Sequence, residues 1–188
     1  MRAPAAAMLV ALAGCAAPAS APPDRVSMWT VPLRNAGFED AARERERCAP
    51  HWSCTMHNDS TAFRFTLEGR DPASGRQALC VQRLKDEPWA LATQSLQDPA
   101  LRGKHLRLSL AVRTDGAVQG RGAGPWALVH GAQRPVGHHE RLVASTAGWE
   151  RVAVDFTVPP DALMVEIGAT LEGGGRACLD DVRLEILR

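Results

Sequence analysis

Apolar and polar residues alternate with a period of two along most of this chain. The clearest run is 106–113, where Leu106, Leu108, Leu110 and Val112 share one side and Arg107, Ser109 and Arg113 interleave. Such alternation marks a strand with one buried face. The same reading applies to 62–68, 76–84, 89–96, 126–130, 151–158, 163–171 and 177–187, with a shorter strand at 27–33 broken by Pro32. Turn chemistry separates them: 69–75 contains Asp71-Pro72 and Gly75, and 172–175 ends in three glycines. Segments 51–60, 117–124 and 133–142 read as loops, and the charged stretch 41–47 as a helical turn or an exposed loop. No window sustains a 3.6-residue period over a helix length. Many short strands between turn signals predict an all-β sandwich or barrel.

The first residues do not belong to that domain. Arg2 precedes an apolar run, 3–13, which is too short to span a bilayer as a permanent helix. It ends in Leu12-Ala13-Gly14-Cys15, and small residues before a cysteine at that depth resemble the lipobox of bacterial lipoproteins. The resemblance implies cleavage after residue 14 and diacylation of Cys15. It also implies a bacterial envelope address, at the outer membrane facing the periplasm in a Gram-negative cell. Residues 15–25, rich in Ala, Pro and Ser, read as an extended tether. The domain is then 26–188. Without Arg2, 21 basic and 21 acidic side chains remain. That balance argues against nucleic acid as a partner, which needs a net basic surface.

Beyond Cys15 the chain has Cys48, Cys54, Cys80 and Cys178. In an oxidising compartment four cysteines read as two disulfides with three connectivities. Cys48 and Cys54 close a small ring within one loop, leaving Cys80 with Cys178, each inside a predicted strand. A link of that span is worth about 3–5 kcal/mol in the loop-entropy model. The rival reading is a metal site formed with His51 and His57, but the spacings match no standard zinc pattern.

Several short motifs occur in a fixed order. They are Asn35-Ala36-Gly37-Phe38-Glu39, Gly75-Arg76-Gln77-Ala78-Leu79, Leu101-Arg102-Gly103-Lys104, Gly148-Trp149, Val158-Pro159-Pro160, Leu171-Glu172-Gly173-Gly174-Gly175 and Leu179-Asp180-Asp181-Val182. This order resembles the galactose-binding-like domains, which include several carbohydrate-binding-module families. The resemblance spans Leu33 to Ile186 and implies a two-sheet antiparallel jelly-roll sandwich. A similar unit accompanies some bacterial transcription regulators as an accessory module, which implies no DNA binding here. Several family members hold a structural calcium, and the resemblance implies as its ligands Glu39, with Asp40 as a further candidate, and Asp180 or Asp181. Hard carboxylate oxygens suit that ion. The same carboxylates otherwise cap turns or pair with Arg34 and Arg183. No other cofactor is implied.

Sugar-binding relatives stack aromatic rings on sugar faces, yet this chain has no tyrosine and five tryptophans. Trp149 matches a structural position. Trp52, bracketed by Cys48 and Cys54, reads as an exposed platform, while Trp89 and Trp126 face either the concave sheet or the core. Gln94, His130 and Arg113 join Trp126 as candidates for the concave face.

Catalytic patterns are weak. His138-His139-Glu140 cannot present all three side chains to one ion from a strand. No serine stands in a Gly-x-Ser-x-Gly elbow. Glu140, Glu166 and Asp155 are dispersed rather than paired. Gly120, Gly122 and Gly124 lack the strand-then-helix context of a phosphate loop. The expected function is a non-catalytic, lipid-anchored envelope module that binds a glycan. The alternatives are an interaction module without sugar affinity, whose partner is an envelope protein, and, more remotely, an envelope hydrolase.

Overall fold

The computed structural model describes residues 27–41 and 48–187. Cys15, the apolar leader, the tether and most of the charged stretch 41–47 lie outside the described residues. Eleven strands run in chain order: β1 (Ser27–Val31), β2 (Ser53–Met56), β3 (Phe63–Glu68), β4 (Ala78–Arg83), β5 (Trp89–Leu96), β6 (His105–Thr114), β7 (Gln119–His130), β8 (Pro135–Glu140), β9 (Glu150–Thr157), β10 (Met164–Gly174) and β11 (Arg176–Leu187). The described residues contain no α-helix, only a 3-10 turn at Pro99–Leu101.

Two antiparallel sheets form the sandwich. One has the order β3-β4-β11-β6-β9, with β1 also paired to β11; the other has the order β2-β5-β10-β7-β8. β1 and β4 pair with opposite halves of β11. The jelly-roll architecture expected from the sequence is therefore observed. Its core explains why. Leu106, Leu108, Leu110 and Val112 of β6 are fully buried, beside Leu184 and Ile186 of β11. From the second sheet they meet Val165, Ile167, Ala169 and Leu171 of β10 and the smaller Ala90, Ala92, Ala123 and Ala127 of β5 and β7. Inward faces of two sheets thus interdigitate into one core.

Three segments differ from the sequence reading. β2 lies inside the predicted loop 51–60; it pairs over only four positions with β5, too few for a period to show. Glycine-rich 119–124 is the first half of β7, not a loop. Pro135–Glu140 is an edge strand, β8, and not a solvated loop. Its proline and glycine hide the alternation, and edge positions tolerate both.

Both expected disulfides are present, Cys48–Cys54 and Cys80–Cys178. Cys80 and Cys178 are directly paired residues of β4 and β11, so the bridge crosses two neighbouring strands.

Candidate functional site

The outward positions of the second sheet form two rows across its strands. Register places Thr93, Gly168, Trp126 and Glu140 side by side, and Ser95, Glu166, Leu128 and His138 in the next row. Cross-strand neighbours sit within side-chain reach, and the contacts follow. Thr93 Oγ1 donates to Glu166 Oε1 at 2.7 Å, and His130 Nε2 lies 3.4 Å from Glu166 Oε2. The His138 ring tilts against Trp126 at 5.7 Å, and His138 Nε2 approaches Glu140 Oε2 at 3.4 Å.

Arg121 spans two carboxylates of this face. It bonds Glu140 and holds Glu172 Oε2 at 2.9 Å. Gly120 and Gly122, with φ of +141° and +114°, flank it. A side chain at either position would be strained, and at Gly122 it would also strike the Val143 backbone. Burial, and the charge of Glu140, push the Glu172 carboxyl up, against the pull of Arg121. Glu140 Oε2 is buried and makes no hydrogen bond among the described residues.

The same face continues into a recess of about 450 Å³ at the β2–β5 edge. β2 stops pairing at Ser53–Thr93. Beyond that point Ser53, Thr93 and Ser95 line the recess with Arg34 and His51.

Of the expected ligand residues, Trp126 and His130 share this face. Trp126 is only 8 % exposed, and the His138 ring packs against it. Gln94 lines the recess, while Trp52 and Arg113 lie elsewhere. Trp52 is not an exposed platform: it is 7 % exposed, its ring centroid sits 5.1 Å from that of Phe38, and its Nε1–H donates to the Asn35 carbonyl at 3.0 Å. The Cys48–Cys54 ring folds this loop back on the Asn35 turn, and an aromatic is needed there to cover Phe38. Gln94 also clamps both the N–H and the C=O of Arg34, at 3.2 and 2.5 Å. Arg113 belongs to β6 in the opposite sheet. There it bonds Asp71 at 2.6 Å and lies 4.8 Å over the Trp149 ring, whose Nε1–H donates to the Asp71 carbonyl. Trp149 is thus structural, as expected.

The expected calcium ligands do not converge. A register shift in β11 between Asp180 and Arg183, with Asp181 at φ +48°, forms a bulge. It sends the two carboxylates apart. Asp180 is fully buried and accepts from the backbone N–H of Ser74 at 2.8 Å and of Asp181 at 2.7 Å. Asp181 turns to Arg151 and Arg183. Glu39 Oε1 accepts from the N–H groups of Arg76 and Gln77 at 2.9 and 3.2 Å. Lone pairs that would bind a cation already face N–H donors or arginines. Among the described residues, no group of three His, Cys, Asp or Glu side chains could hold a metal. These residues do not fit a calcium ion. The alternative, turn-capping and arginine pairing, matches these contacts, although Arg34 takes no part.

Sequence reasoning missed Glu166, Thr93, Glu140, His138, Arg121 and Arg34. The parity of Met164, Glu166 and Gly168 in β10 would have placed Glu166 outward. Nothing local connects Arg34 with Gln94, which lies 60 positions away.

No family model matches the sequence, and no curated protein matches it. Solved structures of similar fold do exist. The CBM22-1 xylan-binding domain from Paenibacillus barcinonensis Xyn10C aligns with a TM-score of 0.59 at 11% identity, over 89% of this chain and 99% of that one. TmCBM61 in complex with β-1,4-galactotriose aligns with a TM-score of 0.53 at 17% identity, over 81% and 95%. The enzymatically active domain of bacteriophage CBA120 tailspike protein 4 aligns with a TM-score of 0.60 at 14% identity, but only 21% of that chain is covered. The chain has the jelly-roll fold of carbohydrate-binding modules.

Proposed function

We propose that this chain is a non-catalytic carbohydrate-binding module that takes a glycan on the outer face of the β2-β5-β10-β7-β8 sheet. The observation that carries this reading is the gathering of Trp126, Glu166, His130 and Thr93 on one face, continuous with a hydroxyl-lined recess. Fixed acceptors and donors suit the hydroxyl rim of a sugar, and Trp126, only 8 % exposed, supports this face rather than offering an open ring. The fold is shared with modules whose solved structures are described as binding xylan and galactotriose, and this supports the assignment. Glu166 is already engaged by Thr93 and His130, an arrangement that orients an acceptor for hydroxyl groups. The lipobox resemblance at Cys15 supports an envelope setting in which a lipid anchor holds the module at a membrane.

Calorimetric titration of the folded domain with neutral plant and bacterial cell-wall oligosaccharides tests the reading. Binding should occur and should weaken at least tenfold in Glu166→Gln and Trp126→Ala. Binding that both variants leave unchanged would move the site elsewhere. Absence of binding to any glycan, with a protein captured from envelope membranes instead, would favour an interaction module.

A further inference from the structure

The recess at the β2–β5 edge differs in charge from the rest of its face. Around Trp126 stand three carboxylates, Glu140, Glu166 and Glu172, against Arg121. The recess lining contains no carboxylate, and its ionisable groups are Arg34 and His51. His51 Nε2 lies 3.6 Å from Asp40. Arg34 has no such neighbour: its exposed guanidinium makes no ion pair and no hydrogen bond among the described residues. Its backbone, by contrast, is fixed. The Gln94 amide binds Arg34 on both its N–H and its C=O. The next residue, Asn35, adopts φ +46° and is held by Trp52 Nε1 on its carbonyl and by its own Nδ2 on the Pro50 carbonyl. Three side chains therefore set where Arg34 starts, and it lines the recess together with Ser53 and Ser95.

We infer that this recess recognises an anionic substituent on the glycan, with Arg34 as its ligand. The inference rests on the carbohydrate-binding reading and narrows it to acidic sugars. A planar guanidinium pairs a carboxylate or a sulfate through two parallel N–H···O bonds. The serine hydroxyls supply further donors to the same oxygens. Preorganising the backbone lowers the entropy lost when the fork engages. A uronic acid and a sulfate ester share this chemistry.

The test compares oligogalacturonate, the same oligomer fully methyl-esterified, and a sulfated galactan oligosaccharide, titrated into the wild-type domain and into Arg34→Gln and Arg34→Lys. The acid or the sulfate ester should bind roughly tenfold or more tightly than the methyl ester. Arg34→Gln should abolish that difference, and Arg34→Lys should restore only part of it, because an ammonium lacks the fork. Whichever anion gains from Arg34 identifies the source. Equal affinity for the acid, sulfate and ester, or anion binding unaffected by Arg34→Gln, would overturn the inference and leave the carbohydrate reading standing. Absence of binding to all three and to neutral glycans would remove both.

Discussion

The buried carboxylate of Asp180 accepts a hydrogen bond from the backbone N–H of Ser74 at 2.8 Å, across 106 positions of sequence. Glu39 takes the next N–H groups of the same turn, at Arg76 and Gln77. Gly75, at φ +63°, is strained for any other residue, and a Cβ there would displace the Glu39 carboxylate from this turn. One turn is thus pinned from both sides by acids that the family resemblance implied as calcium ligands.

The first prediction concerns this pinning. Asp180→Asn turns one acceptor into a donor facing N–H groups, and should cost about 1–3 kcal/mol in denaturant unfolding. Burial raises the Asp180 carboxyl above its usual range. The native state therefore holds the proton more tightly than the unfolded chain does. Its contribution is present in acid and is lost as pH rises from the ordinary carboxylate range through the raised value. Asp180→Asn should flatten stability across that window. Calcium or a chelator should leave the melting temperature unchanged, since a native-state ligand would raise it by mass action. A calcium-dependent rise would mean the N–H donors give way to the ion.

The second prediction separates the two disulfides. Cys80–Cys178 spans 98 positions and Cys48–Cys54 only 6. In the loop-entropy model the long link stabilises by about 4–5 kcal/mol and the short one by less. Replacing Cys80 and Cys178 together by Ala should lower the unfolding midpoint more than replacing Cys48 and Cys54. Thiol labelling of the unfolded, unreduced protein should leave all four unmodified until a reductant is added.

The third prediction distinguishes a core tryptophan from a site tryptophan. Trp52 covers Phe38 and bonds Asn35, so Trp52→Phe keeps the packing and loses the indole donor. It should cost about 1 kcal/mol, whereas Trp52→Ala should cost about 3–5 kcal/mol. Trp126→Phe should weaken glycan binding with little change in melting. If Trp52→Phe abolished binding in a fully folded protein, the indole would have to act on the ligand through Arg34 and the Asn35 turn.

The sequence made the sandwich legible because alternation in β6, β9 and β10 survives in the residues themselves. It also placed Cys80 and Cys178 in strands. What it could not convey is which sheet a strand joins. Arg113 alternates properly in β6, yet its sheet turns away from Trp126. Parity separates inside from outside but not one outer face from the other. Trp52 was misread because a disulfide-bracketed loop suggests exposure, whereas its ring bonds are made to residues 17 and 14 positions earlier. The bulge at Asp181 has the same character. A one-residue register shift sends two adjacent aspartates to opposite tasks, and no local pattern announces it.

The final prediction concerns Arg121, which holds Glu140 and Glu172 together. Glutamine in its place removes the cation and leaves two neighbouring carboxylates, both mostly buried. The Glu172 carboxyl is already pushed up by burial and by Glu140, and loses the opposing pull of Arg121. Its folded value must rise further above the unfolded one. Proton uptake on folding then stabilises Arg121→Gln in acid, and that stability is lost as pH rises through the carboxylate range. The loss relative to wild type should therefore be larger near neutral pH than in mild acid, read as the difference in urea midpoints across a pH series. Adding Glu140→Gln removes the like charge and should recover most of the neutral-pH loss. A pH-independent deficit that Glu140→Gln does not relieve would mean Arg121 acts by packing its aliphatic stem over the β7–β10 glycines rather than by its charge.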